Sequence, residues 1–122
     1  MPLSILIVDD SLLARRILAK SLPVQWDVEI FHASSGNEAI VLSREGKAAV
    51  MFLDLTMPDM DGYEVLEILR KENIDSKVVV VSADIQAEAW KRAQELGAIA
   101  FVTKPINTNE LIYVLKEYGF YE

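Results

Sequence analysis

Short, near-continuous apolar runs alternating with amphipathic stretches of helical period constrain this chain more than any other feature. The runs are Leu3 to Val8, Trp26 to Phe31, Ala49 to Leu53, Val78 to Val81 and Ile99 to Val102. At least three are almost entirely Val, Ile, Leu or Phe, the composition of strands covered on both faces. Trp26 to Phe31 alternates instead, which predicts the edge of a sheet.

Between the runs the apolar residues recur with a helical period. Ala14, Ile17, Leu18 and Leu22 form the first stripe, with Arg15, Arg16 and Lys20 facing out and Pro23 ending it. Ser35 and Glu38 make a capping box for the second helix, which Gly46 closes. Asp61 caps the third, with Val65, Leu66 and Leu69 inward. Ala89, Ala93 and Leu96 mark the fourth, stopped by Gly97. Asn107 or Thr108 starts the fifth, carried by Leu111, Val114, Leu115 and Tyr118.

Five strand–helix units without a linker, repeat or low-complexity tract predict one α/β domain over residues 1–122, built on a parallel sheet with helices on both faces. Strand order stays open at this level. A length of 122 residues suits one core, and 52% hydrophobic with 25% charged residues is enough to build it. With no Cys, a disulfide scaffold and a thiolate metal site are excluded. A single His fits neither the usual zinc sets nor a Ser-His-Asp triad. A net charge of -7 lacks the basic footprint of a nucleic-acid binder. The opening MPLSILIVDDS has no basic n-region or cleavage site, and no apolar run reaches membrane-spanning length. The expectation is a soluble cytoplasmic domain with neither nucleic-acid nor membrane partner.

Sites in such sheets lie outside the carboxyl ends of the strands. Strand one ends in Asp9 and Asp10, strand three in Asp54 and strand four in Ser82, while Lys104 and Pro105 follow strand five. Three converging carboxylates raise one another's pKa unless a cation sits among them. Asp oxygens suit Mg²⁺, which keeps several waters and takes one or two carboxylates plus a phosphate. Lys104 supplies a charge and Ser82 a hydroxyl donor for the remaining phosphoryl oxygens. Acids at strand ends also cap helices, but five such groups ending four strands point to a Mg²⁺-assisted phosphoryl-transfer site.

The segments ILIVDDS (5 to 11), LDLTMPDMDG (53 to 62), VVVSA (79 to 83) and FVTKP (101 to 105) together resemble the receiver domain of two-component response regulators. The resemblance covers Leu3 to about Tyr118, with four motifs in order. It implies a flavodoxin-like three-layer sandwich whose sheet runs in the order 2-1-3-4-5. By the same resemblance Asp54 accepts a phosphoryl group from a sensor histidine kinase, a phosphotransfer protein or a small phosphodonor. Asp9 and Asp10 bind Mg²⁺ (or Mn²⁺) together with Asp54 and the backbone carbonyl of Thr56. Ser82 and Lys104 hold the phosphoryl group, Phe101 is the switch aromatic, and the bond before Pro105 is cis.

Those roles imply a switch that phosphorylates and dephosphorylates itself rather than a turnover enzyme. An ionised Asp54 needs no general base, and an acyl phosphate resets by hydrolysis. The added charge draws Ser82 inward and lets Phe101 turn, changing the surface of helix four, strand five and helix five. Trp90 and Tyr113 lie off the core stripes of their helices, so a partner protein or a second copy is expected to meet them there. Thr56 sits where side chains influence the attacking water. Asp59 and Asp61 read as loop and cap rather than ligands, and His32 as a surface residue.

Three rival classes fit the sequence less well. A flavin module needs a phosphate-cradling loop where this chain has Asp9-Asp10. An aspartyl phosphatase carries its two acids two residues apart after strand one, and a cap domain. A receiver-like interaction module that works without phosphorylation is disfavoured by the retention of all five polar groups. No output domain is visible, so a stand-alone receiver and the amino-terminal receiver of a longer regulator both stay open. DDSLLARR leans weakly toward chemotaxis-type receivers.

Overall fold

The computed structural model describes residues 2–121. Five strands alternate with five helices: β1 Leu3–Val8, α1 Leu12–Ser21, β2 Val28–Ala33, α2 Gly36–Arg44, β3 Val50–Asp54, α3 Gly62–Lys71, β4 Lys77–Ser82, α4 Ala87–Glu95, β5 Ala100–Thr103 and α5 Thr108–Glu117. The strands pair in parallel in the order β2-β1-β3-β4-β5, the flavodoxin-like arrangement. β1 and β3 are neighbours, with Val8 opposite Leu53, so Asp9 and Asp54 emerge side by side.

The sheet separates two apolar layers. Leu6, Val8, Met51, Leu53, Val78 and Val80 meet Ala39, Ile40, Val65, Leu66, Leu69 and Ala93 from α2, α3 and α4. Ile5, Ile7, Val50, Phe52, Val79 and Val81 meet Leu18, Leu22, Leu111 and Leu115 on the α1 and α5 side. Every residue of β3 is buried, and burying a side chain the size of Leu53 or Phe52 contributes about 1.5–3 kcal/mol. The site is therefore mounted on the least deformable part of the molecule.

The caps follow the sequence. Ser35 accepts from the Glu38 N–H and Asp61 from the Glu64 N–H, and Asn107 caps α5. Gly46 and Gly97 end their helices at φ 77° and 108°, the left-handed region. Glu38 closes its box onto the N–H of Ser34 rather than Ser35.

Three expectations are corrected. β2 starts at Val28, because Trp26 lies in the preceding loop, where its Nε1–H donates to the Phe120 carbonyl at 2.8 Å. Ile17 is exposed rather than inward, since Leu18 and Leu22 alone of that stripe are buried. Arg15 does not simply face out, for its side chain folds back to the end of β1.

Candidate acidic phosphoryl-transfer site

The site is assembled by strand ends and helix starts. Asp54 ends β3, and its carboxylate is buried. Asp9 follows β1 and is buried as well, while Asp10 is exposed. One carboxylate oxygen from each of Asp9, Asp10 and Asp54 lies within 4.8 Å of the others. Lys104, carried by the loop after β5, donates from Nζ to Asp9 Oδ2 at 2.9 Å and stands 3.8 Å from Asp54 Oδ1. The Ser11 N–H holds the other Asp9 oxygen at 2.9 Å. Asp9 is thus fixed at both oxygens, and Asp10 makes no side-chain hydrogen bond or ion pair among the described residues.

Backbone geometry brings the Asp54 loop close to α3. The Gly62 N–H donates to the Leu55 carbonyl at 3.0 Å. A Cβ on Gly62 would lie 2.7 Å from the Asp54 carbonyl oxygen and 2.8 Å from Leu55 Cα, closer than atoms pack. Only glycine lets α3 start this near the strand end. Asp61 serves as the cap, as expected, and Asp59 takes a left-handed φ of 68° in an exposed turn. The Thr56 N–H reaches Asp54 Oδ1 at 3.4 Å, and its side chain is exposed.

Electrostatics follow from this crowding. Burial, then the neighbouring Asp9 charge, pushes the Asp54 pKa up from 3.8 to about 6, with Asp10 adding to it. Lys104 and the Thr56 N–H pull the other way. Burial alone would depress the Lys104 ammonium, but its bond to Asp9 and the charges of Asp54, Asp9 and Asp10 leave its pKa raised. A carboxylate held up in this way is short of positive charge, and a small divalent cation with oxygen ligands would supply it. The donor set fits Mg²⁺: one carboxylate oxygen from each of Asp9, Asp10 and Asp54, within 4.8 Å of one another, with Asp10 exposed to solvent.

Of the remaining sequence-named residues, Ser82, Trp90, Phe101 and Tyr113 belong to β4, α4, β5 and α5, and His32 to β2 at the opposite edge of the sheet. Ser82 is buried at the end of β4, and its Oγ accepts from the Asp84 N–H at 3.1 Å. Asp84 in turn accepts from the Gln86 N–H, so the turn into α4 hangs from Ser82. Phe101 and Trp90 pack edge to face at 5.6 Å, both partly buried. Trp90 stands in the first turn of α4, which begins at Ala87. Tyr113 is 68% exposed on α5. The Lys104–Pro105 bond is cis. His32 is exposed, and burial, then Arg15 and Arg16, lowers its pKa.

Sequence reasoning missed two residues around the site. Ser11 caps α1 through the Ala14 N–H and also presents the N–H that holds Asp9. Its position after a paired acid, three residues before Ala14, was the available clue. Tyr63, one residue after Gly62, lies under the Arg92 guanidinium at 4.0 Å and joins α3 to α4. Nothing in the spacing of Tyr63 and Arg92 announces that contact.

A doubly wound parallel sheet with a carboxylate cluster and a lysine at its carboxyl rim defines the class, an α/β domain whose candidate site sits at the strand ends. The family model of the response regulator receiver domain matches residues 5–116, and the chain belongs to that family. It is 33% identical over 116 residues to the chemotaxis protein CheY of Listeria monocytogenes, covering 94% of this chain and 97% of that one. It is 36% identical over 115 residues, 93% of its length, to a protein-glutamate methylesterase/protein-glutamine glutaminase of Geobacter sulfurreducens. The chain spans only 31% of that relative and 43% of a relative from Porphyra purpurea. Among solved structures, the response regulator domain of Thermotoga maritima CheB superposes with a TM-score of 0.83 at 28% identity, each chain covered to 96%. Chemotaxis protein CheY4 of Vibrio cholerae shares the fold, with a TM-score of 0.85 at 23% identity over 96% of this chain and 98% of that one.

Proposed function

We propose that this receiver domain is a phosphoacceptor switch in which Asp54 takes a phosphoryl group from a phosphohistidine of a sensor kinase or phosphotransfer protein. The observation that carries the reading is the buried Asp54 carboxylate, within 4.8 Å of Asp9 and Asp10 oxygens and 3.8 Å from the Lys104 ammonium. An Asp54 oxygen forms the new O–P bond, the P–N bond breaks, and its electron pair leaves on the imidazole nitrogen. Anion attacking anion is opposed by charge, which Lys104 offsets from one side. Asp9, Asp10, Asp54 and the Thr56 carbonyl would hold Mg²⁺, whose charge screens the phosphoryl oxygens. Hydrolysis of the acyl phosphate then returns Asp54 as a carboxylate.

The new charge has a path outward. Ser82 Oγ accepts from the Asp84 N–H at the turn into α4, and drawing that hydroxyl away to donate to the phosphoryl group would break this bond and release the entry to α4. Trp90 sits in the first turn of that helix against Phe101, so both aromatics register the change, and Tyr113 extends the same face on α5. A downstream protein, a fused output domain or a second copy of the chain would be met there. Backbone amide shifts recorded with Mg²⁺, with and without beryllofluoride, test the reading. Large changes are expected from Ser82 to Trp90 and from Phe101 to Tyr113, and Ser82→Ala should abolish them beyond the site. Shifts confined to the neighbours of Asp54 would contradict the signalling face.

A further inference from the structure

Arg15 is the charged group nearest the metal-ligand backbone that the proposed chemistry leaves without a role. It lies in the first turn of α1, and its Nη1 donates to the Asp9 carbonyl oxygen at 2.7 Å. Its Nε is buried and finds no protein acceptor among the described residues. A guanidinium is ordinarily better solvated than this, so the fold holds Arg15 here against a desolvation cost. The oxygen it grips belongs to the peptide unit joining Asp9 to Asp10. That unit is planar, so fixing its oxygen fixes the direction in which the Asp10 backbone leaves β1.

The consequence differs for the two acids. Asp9 needs no help, because the Ser11 N–H and the Lys104 ammonium hold its two oxygens. Asp10 is exposed, with no side-chain bond among the described residues, so its carboxylate is aimed by its backbone alone. We infer that Arg15 is a positioning residue that orients Asp10 toward the cation through the Asp9–Asp10 peptide, without touching metal or phosphoryl group. The inference rests on the function proposed above. It has a distinctive sign. Removing a positive charge beside an acidic site strengthens cation binding by simple electrostatics, whereas loss of positioning weakens it.

Mg²⁺ titration of the amide shifts of residues 9–11 and 54–56 reads the affinity directly, without activity. Arg15→Met is expected to bind Mg²⁺ roughly tenfold more weakly, the scale on which partners that orient metal ligands act. Arg15→Lys keeps the charge but cannot reproduce the guanidinium reach, and is expected to fall in the same direction. At saturating Mg²⁺ both variants should take up phosphoryl groups from acetyl phosphate at the wild-type rate, so the loss lies in metal affinity and not in chemistry. Unchanged or tighter binding in Arg15→Met, with the wild type binding normally, would overturn the inference alone. If Arg15→Met does not fold, the same result in Arg15→Lys would overturn it. A wild-type protein that shows no Mg²⁺-dependent shifts at Asp9, Asp10 and Asp54 would overturn the proposed function and this inference with it.

Discussion

Under the proposed function Asp54 would meet two opposing demands, because the burial that would make it a phosphoryl target also makes its charge costly. Burial and Asp9 raise its pKa from 3.8 to about 6, so ionising it disfavours the folded state. The penalty is absent below about pH 4, grows as pH rises between the unfolded and folded values, and is complete above about pH 6. Two pKa units correspond to about 3 kcal/mol, an upper bound once neighbouring charges relax. In the metal-free protein Asp54→Asn should therefore be more stable than wild type at pH 7 by about 1–3 kcal/mol, and the difference should vanish near pH 4. Urea unfolding at both pH values measures it, and a difference independent of pH would contradict the electrostatic cause. The acids, Ser82 and Lys104 could be named from sequence because strand ends are punctuated by residue type. Arg15 could not, since helical period placed it outward and only the folded return of its side chain to the Asp9 carbonyl shows otherwise.

At the scale of elements, helix starts do the positioning. α3 begins against the Asp54 backbone only because residue 62 lacks a Cβ. Gly62→Ala should cost about 1–3 kcal/mol through overpacking, seen in denaturant unfolding, and should slow phosphorylation of Asp54 because the strand end must shift. Full stability with normal phosphorylation would mean that the Asp54–Gly62 approach is slack. The strands and helices themselves were legible wherever burial on both faces wrote continuous Val, Ile and Leu. β2 was misplaced at its start because WDVEIF alternates like an edge strand, while the Trp26 bond to Phe120, 94 residues away, takes Trp26 out of the strand. Period also overstated the burial of Ile17, since one face of a short helix on a sheet needs only Leu18 and Leu22. The start of α4 depends on the turns from Ser82 to Gln86, whose hydrogen bonds leave little trace in apolar spacing.

For the whole molecule, a fully buried β3 in a two-layered core carries Asp54 to one rim, and under the proposed function β1 and β3 would hold the acids while α4 and β5 respond. Strand order could not be read from periodicity, because parallel βαβ units permit several orders. The motif resemblance supplied it. A phosphoryl group on Asp54 would complete the ligand set formed by Asp9, Asp10 and the Thr56 carbonyl, so Mg²⁺ should bind more tightly with beryllofluoride than without. Equal affinities, measured by titration against Trp fluorescence, would contradict that geometry. The central claim is that Asp54 alone accepts the phosphoryl group, and intact mass after incubation with acetyl phosphate and Mg²⁺ tests it most directly. One added phosphoryl group in the wild type and none in Asp54→Ala is the predicted result. The same mass gain in Asp54→Ala, or none in the wild type, would contradict it.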